Sequence, residues 1–194
     1  MNALRIELFP EAEVPRHFRE QVVALQDHAW PGEEPSGVEP WHDPALMPRS
    51  MLLVGEDGRV LVALDILSKE LEHAGERWSA SGLAAVVTDP AERGRGLGRT
   101  LVAAARDVIA SSGVDVGLFT SDRGLRTFYE RAGWEHLPGT VLVGGTAEDP
   151  FPSNGEGFDK VTIGGFFTAR AHARHTAFIG ARIDLYPGAI DRLW

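Results

Sequence analysis

The stretch Val86-Val87-Thr88-Asp89-Pro90-Ala91-Glu92-Arg93-Gly94-Arg95-Gly96-Leu97-Gly98-Arg99 constrains the fold more than any other part of the chain. It continues the near-unbroken apolar run Leu83 to Val87, which reads as a central strand buried on both faces. Beyond it, Leu97, Leu101, Val102, Ala105, Val108 and Ile109 form one apolar stripe at helical spacing, so Gly96 to Ser112 reads as a helix closed by Gly113. The glycines let the backbone turn sharply and approach a ligand closely. The first N–H groups of the helix lack partners within it, and its dipole adds positive potential there. Arg93, Arg95 and Arg99 bring charge to the same place, in a chain whose net charge is −9. Gly94, Gly96, Leu97 and Gly98 supply the backbone between them, and the whole reads as an anion site suited to pyrophosphate.

Two familiar pyrophosphate loops do not fit. A P-loop needs Gly-Lys-Ser/Thr after its glycines, and none follows here. A dinucleotide loop wants G-x-G-x-x-G in an opening βαβ unit, whereas Gly94, Gly96 and Gly98 alternate with larger residues and follow a hairpin. A plain glycine-rich turn leaves the alternating arginines without a purpose.

The remaining chain organises around this unit. Met1 to Pro10 reads as a strand and Pro15 to Trp30 as a helix, with Phe18, Val22, Leu25 and Ala29 on one face. Residues 31–44 form a Pro- and Gly-rich loop, too long for a mere connector. Ser50 to Val54 and Arg59 to Leu67 flank Glu56-Asp57-Gly58 as a hairpin, and Arg77 to Thr88 is the next strand. Val114 to Thr120 reads as a strand, Arg123 to Ala132 as a short helix, and Trp134 begins another strand. In the tail, apolar islands at 141–143 and 161–163 interrupt a Gly- and Pro-rich stretch, and Phe166 to Ala169 and Phe178 to Tyr186 read as strands.

Composition removes several classes of function. With no cysteine, disulfides, thiolate metal sites and a cysteine nucleophile are excluded. No apolar stretch approaches the ~20 residues of a membrane span, and the first residues lack the pattern of a signal peptide. The expectation is a soluble, cytoplasmic single domain over residues 1–194 with no membrane partner. The acidic balance argues against nucleic acid and favours cationic small molecules.

Arg93-x-x-Gly96-x-Gly98 resembles the Q/R-x-x-G-x-G/A signature of the GNAT superfamily of N-acetyltransferases, and Phe128-Tyr129-Glu130-Arg131-Ala132-Gly133-Trp134 resembles its F-Y-E-x-x-G-F segment. The resemblance covers about residues 50–135. It implies an α/β (α+β) fold: a mixed, mostly antiparallel sheet with two central parallel strands that splay apart, flanked by helices, and with residues 139–194 completing the substrate side. It further implies acetyl-CoA as co-substrate and no metal. The loop would hold the pyrophosphate, and Val86, Val87 and Thr88 would offer backbone groups to the pantetheine arm and thioester. Tyr129 falls at the position of the superfamily's usual general acid.

The base is not set by the resemblance, because the strand from Ser79 to Thr88 carries no carboxylate. Glu33, Glu34, His42, Asp43, Glu72, His73 and Glu76 are the candidates. The loop Trp30-Pro31-Gly32-Glu33-Glu34, with Trp41-His42, and the segment Asp184 to Trp194 are also similar to aminoglycoside 2′-N-acetyltransferases. That similarity implies that Glu33, Glu34, Asp191 and the carboxylate of Trp194 receive an amine substrate. A non-catalytic CoA-binding module stays open as the alternative, and so does a homodimer. His172 and His175 could suggest metal ligation, but no third ligand is apparent and their context reads as β. Arg170, Arg174 and Arg182 read as a solvated face, with a cover for the 3′-phosphate of CoA or a subunit contact as the sharper alternatives.

Overall fold

The computed structural model describes residues 4–32, 37–188 and 193–194. Strands β1 (Arg5–Pro10), β2 (Arg49–Val54), β3 (Val60–His73), β4 (Glu76–Thr88), β5 (Val116–Asp122), β6 (Glu135–His136) and β9 (Lys160–Phe166) form one sheet in the order β1-β2-β3-β4-β5-β9-β6. All its pairs are antiparallel except β4 with β5. A second, three-stranded sheet holds β7 (Val141–Gly145) between β8 (Pro150–Pro152) and β10 (Arg182–Asp184). The helices are α1 (Arg16–Ala29), α2 (Leu97–Ser111), α3 (Arg126–Glu130) and α4 (Ala169–Ala173). This is the mixed α/β architecture expected. No helix among the described residues is long and apolar enough to cross a membrane.

Strand alternation explains why both faces of the sheet are covered. Met51 and Leu53 of β2 join the cluster that contains Leu101, Val102, Ala105 and Ile109 of α2. Leu52 and Val54, pointing the other way, join Phe18 of α1, Val60, Ala63 and Val87. Each fully buried aliphatic side chain contributes about 1.5–3 kcal/mol, so the helices are held on opposite faces chiefly by these stripes.

Three expectations need correction. The strand expected to end at Leu67 runs on to His73, and the hairpin turns at Ala74 and Gly75, both at positive φ. Leu71, beyond the expected end, is buried like Leu67 and extends the core along the hairpin. Phe166 to Ala169 is not a strand: β9 ends at Phe166 and Ala169 opens α4, because the Thr168 hydroxyl accepts from Ala171 N and caps the helix. Of Phe178 to Tyr186 only Arg182–Asp184 is extended in a ladder; Phe178 closes a 3₁₀ turn and is wholly buried. Residues after 139 contribute to the main sheet, since β9 is inserted between β5 and β6.

Candidate functional site

Two irregularities in the centre of the sheet build the site. The first is a β-bulge in β4. Ala63 pairs with Val87 and Asp65 with Ala84, so Leu64 alone opposes Ala85 and Val86. Ala85 takes φ +49, a left-handed conformation that a non-glycine residue adopts only under constraint. The second is the parting of β4 and β5. They pair only at Ala80 with Val116 and Ser81 with Gly117, and beyond that point the two strands diverge. The indole of Trp194 fills the apex of the gap: its Nε1 donates to Leu118 O at 2.5 Å, and the residue is buried. Gly82 leaves it room, since a Cβ there would stand 2.6 Å from Leu118 O and closer still to the indole.

A cleft of about 880 Å³ opens where the strands have parted. Val86, Val87 and Thr88 form one wall, Arg93, Gly94, Arg95, Gly96, Leu97, Gly98 and Arg99 the loop end, and Phe128, Tyr129 and Arg131 the opposite side. Gly94 and Gly96 sit at φ +79 and +80, and Gly96 is the N-cap of α2, with no side chain capping the helix. The opening N–H groups of α2 are therefore available to an anion. Gly98 brings the helix against the strand end, for a Cβ there would stand 2.8 Å from Thr88 Oγ1 and 3.5 Å from the Phe128 ring. Arg93 Nε donates to Thr88 O at 3.4 Å, and Arg95 pairs with Glu92. Every loop residue singled out in the sequence thus lines one cleft.

Tyr129 closes that cleft from α3. Its ring packs edge-on against Phe119 and Phe128, with centroids 5.0 and 4.9 Å away. Burial, with the nearby Asp122 charge, pushes its phenol up to about 12. It is therefore a neutral O–H donor throughout the physiological range.

On the other side of the bulge lies a second cavity, of about 580 Å³, walled by Trp30, Trp41, Pro40 and Val23, floored by Ala85, and bordered by Gln26, Asp27 and Glu39. Among the described residues lining it none is basic. The two cavities share Trp30 and meet across consecutive residues of β4, Ala85 in one and Val86 in the other. The sequence reading missed this pocket. Its tryptophans were visible in the first loop, but nothing local says that they converge on Ala85.

A buried polar chain supports the pocket. Asp65 accepts from Ser50 Oγ at 2.6 Å and contacts His42 Nε2 at 3.2 Å, all three residues being buried. The His42 ring stacks on Trp41, with centroids 4.0 Å apart. Asp65 was overlooked, although it is the one charge in the apolar run Val60 to Leu67.

The other candidates fall elsewhere. Glu33, Glu34 and Asp191 lie outside the described residues. Trp194 lines neither cavity and stands instead at the apex between β4 and β5. Asp43 caps a 3₁₀ turn by accepting from Ala45 N. His73 and Glu76 are tied at the far end of the β3–β4 hairpin, His73 to Ala177 O and Glu76 to Arg174, and Glu72 lies beside Arg77. His172 and His175 sit in helical turns rather than the β context expected, and His175 contacts Glu135 at 2.7 Å. Among the described residues no group of three or more potential ligands gathers for a metal. Arg170, Arg174 and Arg182 are exposed to solvent, as read, each beside a carboxylate: Arg170 joins Asp115 and the face of Trp78, Arg174 joins Glu76, and Arg182 lies near Asp184.

Comparison with known proteins agrees with this geometry. The model of the acetyltransferase (GNAT) domain matches residues 13–137. The chain belongs to this family. No curated protein matches it. Solved structures share the fold at low identity. One is the GNAT family N-acetyltransferase YhbS from Escherichia coli in complex with CoA, at 18% identity and a TM-score of 0.60, covering 94% of this chain and 88% of that one. Another is an acyl-CoA N-acyltransferase from Pseudomonas aeruginosa, at 18% identity and TM-score 0.57, covering 84% and 99%. A GCN5-related N-acetyltransferase from Kribbella flavida gives 20% identity and TM-score 0.56 over 71% of this chain, which spans only 34% of that longer protein.

Proposed function

We propose that this protein transfers an acetyl group from acetyl-CoA to a primary amine of a small, cationic acceptor. The observation that carries this reading is the pair of cavities of opposite character, one rich in arginine and one acidic, which meet across Ala85 and Val86. Arg93, Arg95, Arg99 and the opening N–H groups of α2 would hold the pyrophosphate, with Val86 to Thr88 along the pantetheine arm. Acetyl-CoA supplies an activated acyl group on sulfur. At the bulge, backbone donors that polarise the acyl carbonyl stabilise the tetrahedral intermediate, an effect worth roughly 3–4 kcal/mol for one good donor. The neutral amine forms the C–N bond, the C–S bond breaks, and Tyr129 gives its proton to the departing sulfur. The phenol then regains a proton from the acylated nitrogen through solvent, so the balance closes on an amide and a free thiol.

Free thiol release measured over a panel of amines, with CoA binding in parallel, tests the reading. The panel holds arylalkylamines, polyamines, an aminoglycoside and an N-terminal peptide. Thiol release that depends on an amine supports acetyl transfer, and release with the aminoglycoside would extend it to the resistance enzymes whose first loop this chain resembles. CoA binding with no turnover on any amine would overturn it in favour of a CoA-binding module.

A further inference from the structure

The acceptor pocket has a chemistry of its own. Two of its walls are indoles, and Trp30 and Trp41 are each about half exposed, at 54% and 50%. Large apolar side chains left open to water beside a cavity carry a cost that a ligand can recover by covering them. Indole faces attract cations, most strongly when water is excluded. Gln26, Asp27 and Glu39 stand at the same pocket, and the other described walls are Val23, Gly37, Pro40 and Ala85.

Trp41 is also a built wall. Its backbone N–H donates to the carboxylate of buried Glu11 at 3.1 Å. Its ring lies on His42, which is held by Asp65, which in turn is held by Ser50. A buried polar chain running from β2 and β3 to a half-exposed surface ring is expensive to maintain unless the position of that ring matters.

We infer that the pocket selects a primary ammonium carried on a flat apolar body, an arylalkylamine, and that Trp41 is the specificity-determining wall, positioned by the Ser50–Asp65–His42 chain. The inference rests on the acetyl-transfer reading for its reaction and on the pocket alone for its ligand class. The flat ring lies between Trp30 and Trp41. The ammonium end reaches toward Ala85, and Asp27 and Glu39 offset its charge on entry.

The test uses the whole protein and two readouts. With saturating acetyl-CoA, thiol release is followed with 2-phenylethylamine and tryptamine against spermidine and kanamycin. Equilibrium binding of 2-phenylethylamine to the CoA-loaded protein is measured separately by calorimetry. The arylalkylamines are expected to exceed both polycations in kcat/KM by about tenfold or more, each tenfold corresponding to about 1.4 kcal/mol. Trp41→Ala should raise the KM for 2-phenylethylamine about tenfold while leaving the KM for acetyl-CoA unchanged, and Trp41→Phe should restore most of the loss. Asp65→Asn should raise the same KM by a smaller factor. Combined with Trp41→Ala it should add little, because the two act through one ring. Spermidine or kanamycin turned over in preference to both arylalkylamines would overturn the inference and leave acetyl transfer standing. Tight 2-phenylethylamine binding without any thiol release would sustain the pocket and overturn acetyl transfer. Neither binding nor turnover of an arylalkylamine by a protein that still binds CoA would overturn the inference outright.

Discussion

At the scale of single residues, Tyr129 carries the sharpest expectations. Tyr129→Phe removes only the hydroxyl, so CoA affinity should hold while kcat falls about a hundredfold, the range of a lost general acid. The same phenol has a signature in stability. Its folded value of about 12 lies above the ordinary 10.0, because burial disfavours the phenolate. The stabilisation is complete below pH ~10 and is lost as pH rises through ~12, where the folded form also ionises. Denaturation of the wild type should therefore ease over that window, and Tyr129→Phe should remove this part of the decline. Gly82 supplies a test of packing. Gly82→Val would drive the Trp194 indole from its seat against Leu118 O, costing about 3 kcal/mol and lowering Tm, with intrinsic fluorescence reporting the displaced ring.

Among elements, the joint between β4 and β5 decides how far the sheet opens. Asp115, just before β5, accepts from Ser79 N and Oγ at 3.2 and 3.1 Å, from Thr168 at 2.8 Å and from Arg170 at 2.6 Å, tying β4, β5 and α4 together. Burial alone would raise its pKa, but hydrogen bonds from Thr168, Arg170 and Ser79 outweigh that and hold it below the usual carboxylate range. Its contribution is present above the unfolded value near 3.9 and disappears as pH falls through the lower folded value. Asp115→Asn should cost about 2 kcal/mol at neutral pH, and its denaturation midpoint should depend less on pH in acid than that of the wild type. The loop element has its own test. Gly96→Val forces a branched side chain into φ +80 at the start of α2, so it should weaken CoA binding at least tenfold and also lower stability by about 1–2 kcal/mol. This loop was legible in the sequence because strand, glycines, arginines and helix stripe are consecutive. The tail was not. Insertion of β9 between β5 and β6 depends on partners far along the chain, and the Thr168 cap that turns Ala169 into a helix was hidden behind an apolar run that looked like a strand. The pocket lay between these cases: Trp30 and Trp41 stood out in the first loop, but only the fold brings them to Ala85, and Asp65 behind them was overlooked.

Over the whole molecule, a net charge of −9 coexists with a cleft lined by Arg93, Arg95, Arg99 and Arg131. A local cluster of this kind would offset the long-range repulsion of an anionic ligand, and salt screens exposed charges, most completely beyond a Debye length of ~10 Å at about 0.1 M. CoA affinity measured by calorimetry should fall about threefold or more between low and high sodium chloride. Retained affinity would mean that buried backbone donors, not arginines, dominate. The two cavities are neighbours as well as opposites, and Trp30 belongs to both. On the proposed acetyl-transfer reading, whatever position that ring took against CoA would be the position the amine would meet. Each ligand would then set part of the other's binding constant, and by thermodynamic reciprocity the factor would be the same in both directions. On that reading, affinity for the acceptor would be a property of a pair of guests that share one indole.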